Sequence, residues 1–180
     1  MPGFDFSQAA SGFTKVGEVI LAATAASIDI QNIPQSFRNL HVTYVLRGDA
    51  TNTQAPGVMR LNNDGAANYD YQRFENSSGS SLITSEALAS TGMLLGYAVD
   101  ASGAANKAMY GSAFIPFYSG TTFEKDVLVH AYGRFATASG NATMDITGNT
   151  WRSTAAINRI TILPASGNFV AGSGACVYAY

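Results

Sequence analysis

The strongest constraint on this chain is a period of two. In Asn39–Arg47, Leu40, Val42, Tyr44 and Leu46 alternate with His41, Thr43, Val45 and Arg47, which puts one set on each face of a strand. Its β-branched and aromatic content suits a sheet. Comparable runs recur at Phe13–Leu21, Ser27–Gln31, Val58–Leu61, Tyr69–Glu75, Met93–Val99, Lys107–Tyr118, Asp126–Thr137, Asn141–Ile146, Ala156–Leu163 and Gly174–Tyr180. Gly, Asn, Asp, Ser or Pro bound most of them, the residues of turns. Asn32-Ile33-Pro34 reads as a corner, because the proline biases its neighbour away from helix. Asp49–Gly57, Asn76–Ser81, Asp100–Asn106 and Ser119–Lys125 read as loops. In Asp126–Thr137, Val127, Val129 and Ala131 alternate with Leu128, His130 and Tyr132. Both faces are partly apolar, which predicts a central strand. Only Ser85–Thr91 invites a helical turn.

Roughly ten strands without an amphipathic helix predict an all-β fold. The expected architecture is a single antiparallel β-sandwich with jelly-roll or related Greek-key topology, a closed barrel being the alternative. A chain of 180 residues holds one sizeable core rather than two. Residues 13–180 are therefore read as the sandwich and residues 1–12 as an N-terminal arm. In that arm Phe4 and Phe6 stand among small and polar residues and are the candidate partner-contact residues. Buried in a neighbour's groove, each would contribute roughly 1.5–3 kcal/mol.

Charge narrows the function. Only 12% of residues are charged, about half the usual ~25% share. Such a surface points to cover by partners. The net charge of −2 and ten Lys+Arg give no basic footprint, so no nucleic-acid partner is expected. No run reaches the ~18 apolar residues of a membrane span. Val16–Ala26 faintly resembles a signal peptide, but Glu18 interrupts it and the first fourteen residues hold no Lys or Arg.

Catalytic groups are sparse. The two histidines, His41 and His130, fall inside predicted strands, where a base oriented toward a nucleophile is not expected. Ser139-Gly140 and Gly172-Ser173-Gly174 read as turns, not nucleophile elbows. Asn62, Asn63 and Asp64 offer oxygens to calcium, but the EF-hand spacing is missing and the cluster reads as a turn. Cys176 is the single cysteine, so it has no disulfide partner within the chain. Phosphate-binding glycine loops are absent. No catalytic residue, metal or cofactor is expected. Tyr, Asn and Asp on a sandwich also allow a sugar site, with core and interface packing the commoner use.

Three stretches carry a resemblance. Phe13–Leu21 leads through Ser27–Gln31 and Asn32-Ile33-Pro34-Gln35-Ser36 to Asn39-Leu40. Arg60–Tyr69 holds an Asn-x-Asp-x-x-x-Asn-Tyr turn, and Trp151-Arg152-Ser153 runs through Ile157–Ile160 to Gly167–Ser173. Together they resemble a group of tailed-bacteriophage virion proteins of the capsid decoration, head-fibre and tail-fibre kind. The ending Cys176–Tyr180 differs from that group's Leu-Tyr-Gly ending. The resemblance implies a virion structural protein made in the host cytoplasm; its turns and strands do not separate those roles, of which decoration places it on the outer capsid surface. Its implied partners are the major capsid protein and further copies of itself, as a homotrimer. Compactness, with no trimerising stalk, favours a capsid decoration (cement) protein. A tail-fibre protein recognising a host surface glycan is the alternative, and a β-scaffold depolymerase or lyase the remote one.

Overall fold

The computed structural model describes residues 12–77, 82–135 and 142–180. The fold is all-β. Its strands are β1 (Thr14–Ile20), β2 (Ile28–Ile30), β3 (Leu40–Leu46), β4 (Gln54–Leu61), β5 (Tyr69–Ser77), β6 (Leu82–Ser90), β7 (Met93–Val99), β8 (Met109–Ile115), β9 (Lys125–Arg134), β10 (Ala142–Trp151), β11 (Ile160–Pro164) and β12 (Gly174–Ala179). They form two antiparallel sheets, an eight-stranded one in the order β1-β12-β3-β8-β9-β10-β5-β6 and a four-stranded one in the order β2-β11-β4-β7. The chain changes sheet after β1, β2, β3, β4, β6, β7, β10 and β11. This is a sandwich with crossovers of the Greek-key kind.

The core lies between the sheets. Leu40, Val42, Tyr44 and Leu46 of β3 all point inward and are buried, as the alternation requires. Facing them are Ile28 and Ile30 of β2, Met59 and Leu61 of β4, and Ile160 and Ile162 of β11. Each such side chain contributes roughly 1.5–3 kcal/mol of burial. Tyr44 links the layers: its hydroxyl donates to the Leu95 carbonyl of β7 at 2.8 Å. Its ring lies where a β-carbon on Gly111 would be, so only glycine fits opposite it on β8.

Toward β10 and β5 the interior changes character. Arg73, Glu75, Asp145, Thr147 and Asn149 face inward and are buried. Arg73 bonds Asp145 and Glu75, each at 2.5 Å, and its guanidinium lies 4.5 Å from the centre of the Tyr97 ring. Burial pushes the Asp145 carboxyl up, with Arg73 opposing that shift. Asn149 acts as a strand partner: Oδ1 accepts from Leu94 N at 2.8 Å and Nδ2 donates to Leu94 O at 3.3 Å.

Three segments depart from the sequence reading. Ser85–Thr91 is not a helical turn; as far as Ser90 it belongs to β6, which pairs with β5. It has no apolar stripe to bury as a helix, while β5 offers an open ladder edge, so pairing overrides local propensity. Strand β4 begins at Gln54, inside the expected loop, because Ala55 is buried against Ala98. The β4–β7 register shifts between Pro56 and Val58, the irregularity at which a sheet tolerates proline. Strand β10 continues to Trp151, well past the expected Ile146. Both outer strands of the large sheet lie beside bulges. One falls between Lys15 and Gly17 of β1, the other between Tyr69 and Tyr71 where β5 meets β6.

Candidate functional site

The outer face of the large sheet is built from the residues that alternate with its core. Register places Phe114, Leu128, Gly148, Gln72 and, at the edge, Glu86 in one cross-strand row, and Ser112, His130, Ile146, Phe74 and Thr84 in the next. The third row is Tyr110, Tyr132, Met144, Asn76 and Leu82. Eight large apolar side chains in these rows are exposed, from 38% for Phe114 to 61% for Leu82. At ~150–250 Å² per aromatic side chain they leave roughly 700 Å² open. The largest apolar patch on a typical monomer is ~300–600 Å², and a stable interface uses ~800 Å² per partner. No Lys, Arg, Asp or Glu lies on the outer face between Tyr110 and Phe114, Leu128 and Tyr132, or Met144 and Gly148. An uncharged apolar centre is the composition of an interface core.

One row has a gap. Gly148 carries no side chain, and a β-carbon added there would meet nothing within 4 Å. A groove of about 460 Å³ opens at this point. Phe114, Pro116, Leu128 and Leu88 give it apolar walls, and Asp70, Gln72, Asp126 and Thr150 give it polar ones. Asp126 accepts from Thr150 Oγ1 at 2.7 Å. Asp70 accepts from Ala89 N at 2.8 Å and lies 3.6 Å from Arg152 Nε.

The histidines do not form a catalytic pair. His130 sits in the apolar face beside Ser112 and Ile146. His41 lies across β8 from it, edge-on to the Phe13 ring with centroids 5.7 Å apart. Ser173 Oγ is fixed by the end of the neighbouring β3, accepting from Arg47 N at 3.0 Å and donating to Arg47 O at 3.1 Å. Cys176 is buried and free. Ser139 and Gly140 lie outside the described residues, as do Phe4 and Phe6 with all of the arm except Gly12.

The Ile33-Pro34-Gln35 corner, the Asn62–Tyr69 turn and the start of the third stretch, Trp151 to Asn158, meet at one end of the sandwich as a joint. Asp64 is its centre. Its Oδ1 accepts from Ala66 N at 2.9 Å, and its Oδ2 accepts from Asn68 Nδ2 at 3.0 Å and Trp151 Nε1 at 2.8 Å. These donors hold the Asp64 carboxyl below the usual range, Asn68 most, then Trp151. Tyr69 stacks on Trp151 and donates to the Asp64 carbonyl at 3.1 Å; burial pushes its hydroxyl up to about 12. Asn62 accepts from Asn158 N at 2.9 Å and donates to Ala156 O at 2.8 Å. Gln35 donates to Ile33 O at 2.8 Å and to Ile157 O at 2.9 Å, and Tyr118 donates to Pro34 O. Asn62 and Asp64 thus accept from protein donors, and the motif acts as an architectural clamp.

No protein-family model matches the chain, and no curated relative does either. Among solved structures the chain is similar to the Caenorhabditis elegans galectin LEC-6, at 11% identity and TM-score 0.37 over 94% of this chain and 100% of that one. It is also similar to an engineered GH43 glycoside hydrolase, at 12% identity and TM-score 0.44 over 93% of this chain and 36% of that one. A third likeness is to a xylan β-1,4-xylosidase from Bacillus halodurans, at 12% identity and TM-score 0.31 over 84% of this chain and 29% of that one. The chain spans about a third of the length of these two hydrolases, and the likenesses extend no further than an all-β architecture.

Proposed function

We propose that this is a non-enzymatic structural protein of a tailed-bacteriophage virion, a capsid decoration protein that binds the outer face of the head shell. The observation that carries the reading is the uncharged apolar centre of the large sheet's outer face, close in size to one side of a stable interface and left wet in the single chain. The sequence resemblance supplies the virion setting. A protein that binds the assembled shell and not the disrupted one stabilises it by linkage, about 2.7 kcal/mol per site at 100 Kd, repeated over symmetric sites. Purified virions should carry the protein on the head in hundreds of copies. Particles lacking it should assemble but release their genome at lower temperature. Equal heat-inactivation curves with and without the protein would overturn the reading.

One observation favours a second reading, a tail protein that recognises a host glycan. The groove at Gly148 combines apolar walls with carboxylate and amide groups, the mixture that suits a sugar ring and its hydroxyls. A handful of copies at the tail, with adsorption lost on deletion, would decide for it.

A further inference from the structure

Three loops meet at the end of the sandwich opposite the Asp64 joint. They are residues 47–53 after β3, 100–108 after β7 and 165–173 after β11. Main-chain bonds tie them together: Asp49 N to Asn168 O at 2.9 Å, and Asp100 N to Thr53 O, Ala101 N to Ala50 O and Ser102 N to Asn52 O, each at 3.0 Å. Inside this junction Asp100 is 0% exposed, and neither of its carboxylate oxygens has a hydrogen-bond partner. An ionised carboxylate does not stay buried unpaired; it takes up a proton or a counter-ion.

The neighbouring cation does not serve it. Arg47 Nη1 donates to the carbonyl oxygens of Ala104 at 2.9 Å and Lys107 at 2.6 Å, and Nη2 to those of Asp100 at 3.3 Å and Gly103 at 3.5 Å. The guanidinium is bonded to the Asp100 main chain, not to its carboxylate. A second negative charge, that of Asp49, also acts on Asp100. Asp49 is held at the junction by Asn168, whose N donates to Oδ1 at 2.7 Å and whose Nδ2 lies 3.3 Å from Oδ2. Each of these oxygens keeps a further lone pair. The Asp100 carboxylate lies against Gly48, where a β-carbon would collide with Oδ1 and would stand 3.6 Å from the carbonyl oxygen of Asn168. The buried Asp100 carboxylate and the carbonyl oxygen of Asn168 thus flank Gly48, and Asp49, bonded to that same Asn168, stands at the exposed side of the junction, with Arg47 the nearby positive charge.

We infer that this loop junction is a divalent-cation site suited to Ca²⁺, with the carboxylates of Asp100 and Asp49 and the carbonyl oxygen of Asn168 as ligands and water completing the shell. Every donor is an oxygen, and the three donors come from three separate loops. This favours calcium, which accepts six to eight oxygens in irregular geometry, over magnesium, which demands a near-ideal octahedron. No histidine or thiol is present at the junction to select zinc. Among the described residues no group of three or more His, Cys, Asp and Glu side chains occurs, so two carboxylates and main-chain oxygen set the strength. That places the dissociation constant at roughly 10⁻⁴–10⁻³ M, the range of weak extracellular calcium modules.

The test uses the full chain, stripped with EDTA and titrated with Ca²⁺ or Mg²⁺ by calorimetry and thermal unfolding. Ca²⁺ should raise the melting temperature saturably and release binding heat with one site per chain, and Mg²⁺ should do much less. Asp100→Asn, nearly the same shape without the charge, should abolish the calcium response. Asp49→Asn, at an exposed position that does not challenge folding, should weaken it about tenfold or more. No response of the wild type at about 10 mM Ca²⁺ overturns the site. So does an Asp49→Asn chain that binds as the wild type does, or a folded Asp100→Asn chain that still responds in full.

Discussion

The two ends of the sandwich are each organised around an aspartate, and they solve opposite problems. At one end Asp64 accepts three hydrogen bonds from Ala66, Asn68 and Trp151, and its charge is a stabilising hub. At the other, Asp100 is more deeply buried and accepts none. An aspartate surrounded by donors is architecture. An aspartate held without them is stored electrostatic cost that only a proton or a cation relieves.

That contrast is breakable. The largest effect is expected from Asp64→Ala, which strands three donors at once. At about 1–3 kcal/mol for each unmet group, discounted for partial exposure, a loss of about 3 kcal/mol should appear in the denaturant midpoint. An unchanged midpoint would remove Asp64 from the joint. Asp100→Asn should have the opposite sign. In chelator the Asp100 carboxyl is pushed up to about 6, by burial first and Asp49 second, against Arg47. The folded state then holds its proton longer than the unfolded chain. The wild type should therefore lose stability as pH rises from about 4 to about 6, and Asp100→Asn should gain on the order of 2 kcal/mol at pH 8 and nothing at pH 4. Asp64 runs the other way. Its lowered pKa gives stability that is present above about pH 4 and lost as pH falls through the folded value. Thermal unfolding across pH 3–8 with both variants separates the two slopes.

A smaller loss follows from Gln35→Ala, which removes two bonds from Nε2 to carbonyl oxygens at the Asp64 end. About 1–2 kcal/mol is expected, with no change in any calcium response. The smallest effect on stability belongs to Gly148→Arg. The added side chain enters open space on the outer face, so stability should stay within about 0.5 kcal/mol. Binding through that face should fail in a particle-attachment assay; undiminished attachment would move the interface elsewhere.

The sequence made much of this legible where alternation and burial agree. Strand β3 is the clear case, its four inward residues all apolar. Strand β9, apolar on both faces, was readable as central and does lie between β8 and β10. The second half of strand β10 hid because its polarity is inverted. Asp145, Thr147 and Asn149 point inward while Met144 and Ile146 point out, and Thr147-Gly148-Asn149 looks like a turn to any rule that equates polar with exposed. Edge strand β6 hid because its partner, not its own residues, makes it a strand. The Asp64 motif was visible as a turn, but its bond to Trp151 spans 87 positions. The Asp100 junction was not visible at all. Its loops are separated by about fifty residues or more, and a lone aspartate after Val99 looks like any loop residue. The outer apolar face was written in the sequence as the second phase of the same alternation. Only the sheet order brings its rows together.

The bulges at the borders of the large sheet bear on the shape of any assembly. A flat edge strand is a template, and each copy that adds to it presents a new template, so growth has no natural end. Here the register slips at Lys15/Gly17 on one border and at Tyr69/Tyr71 beside the other, and both borders twist away from continued pairing. Under the face-on contact proposed above, a face once covered would offer nothing to the next molecule, and binding would saturate at a fixed stoichiometry rather than propagate as a fibre.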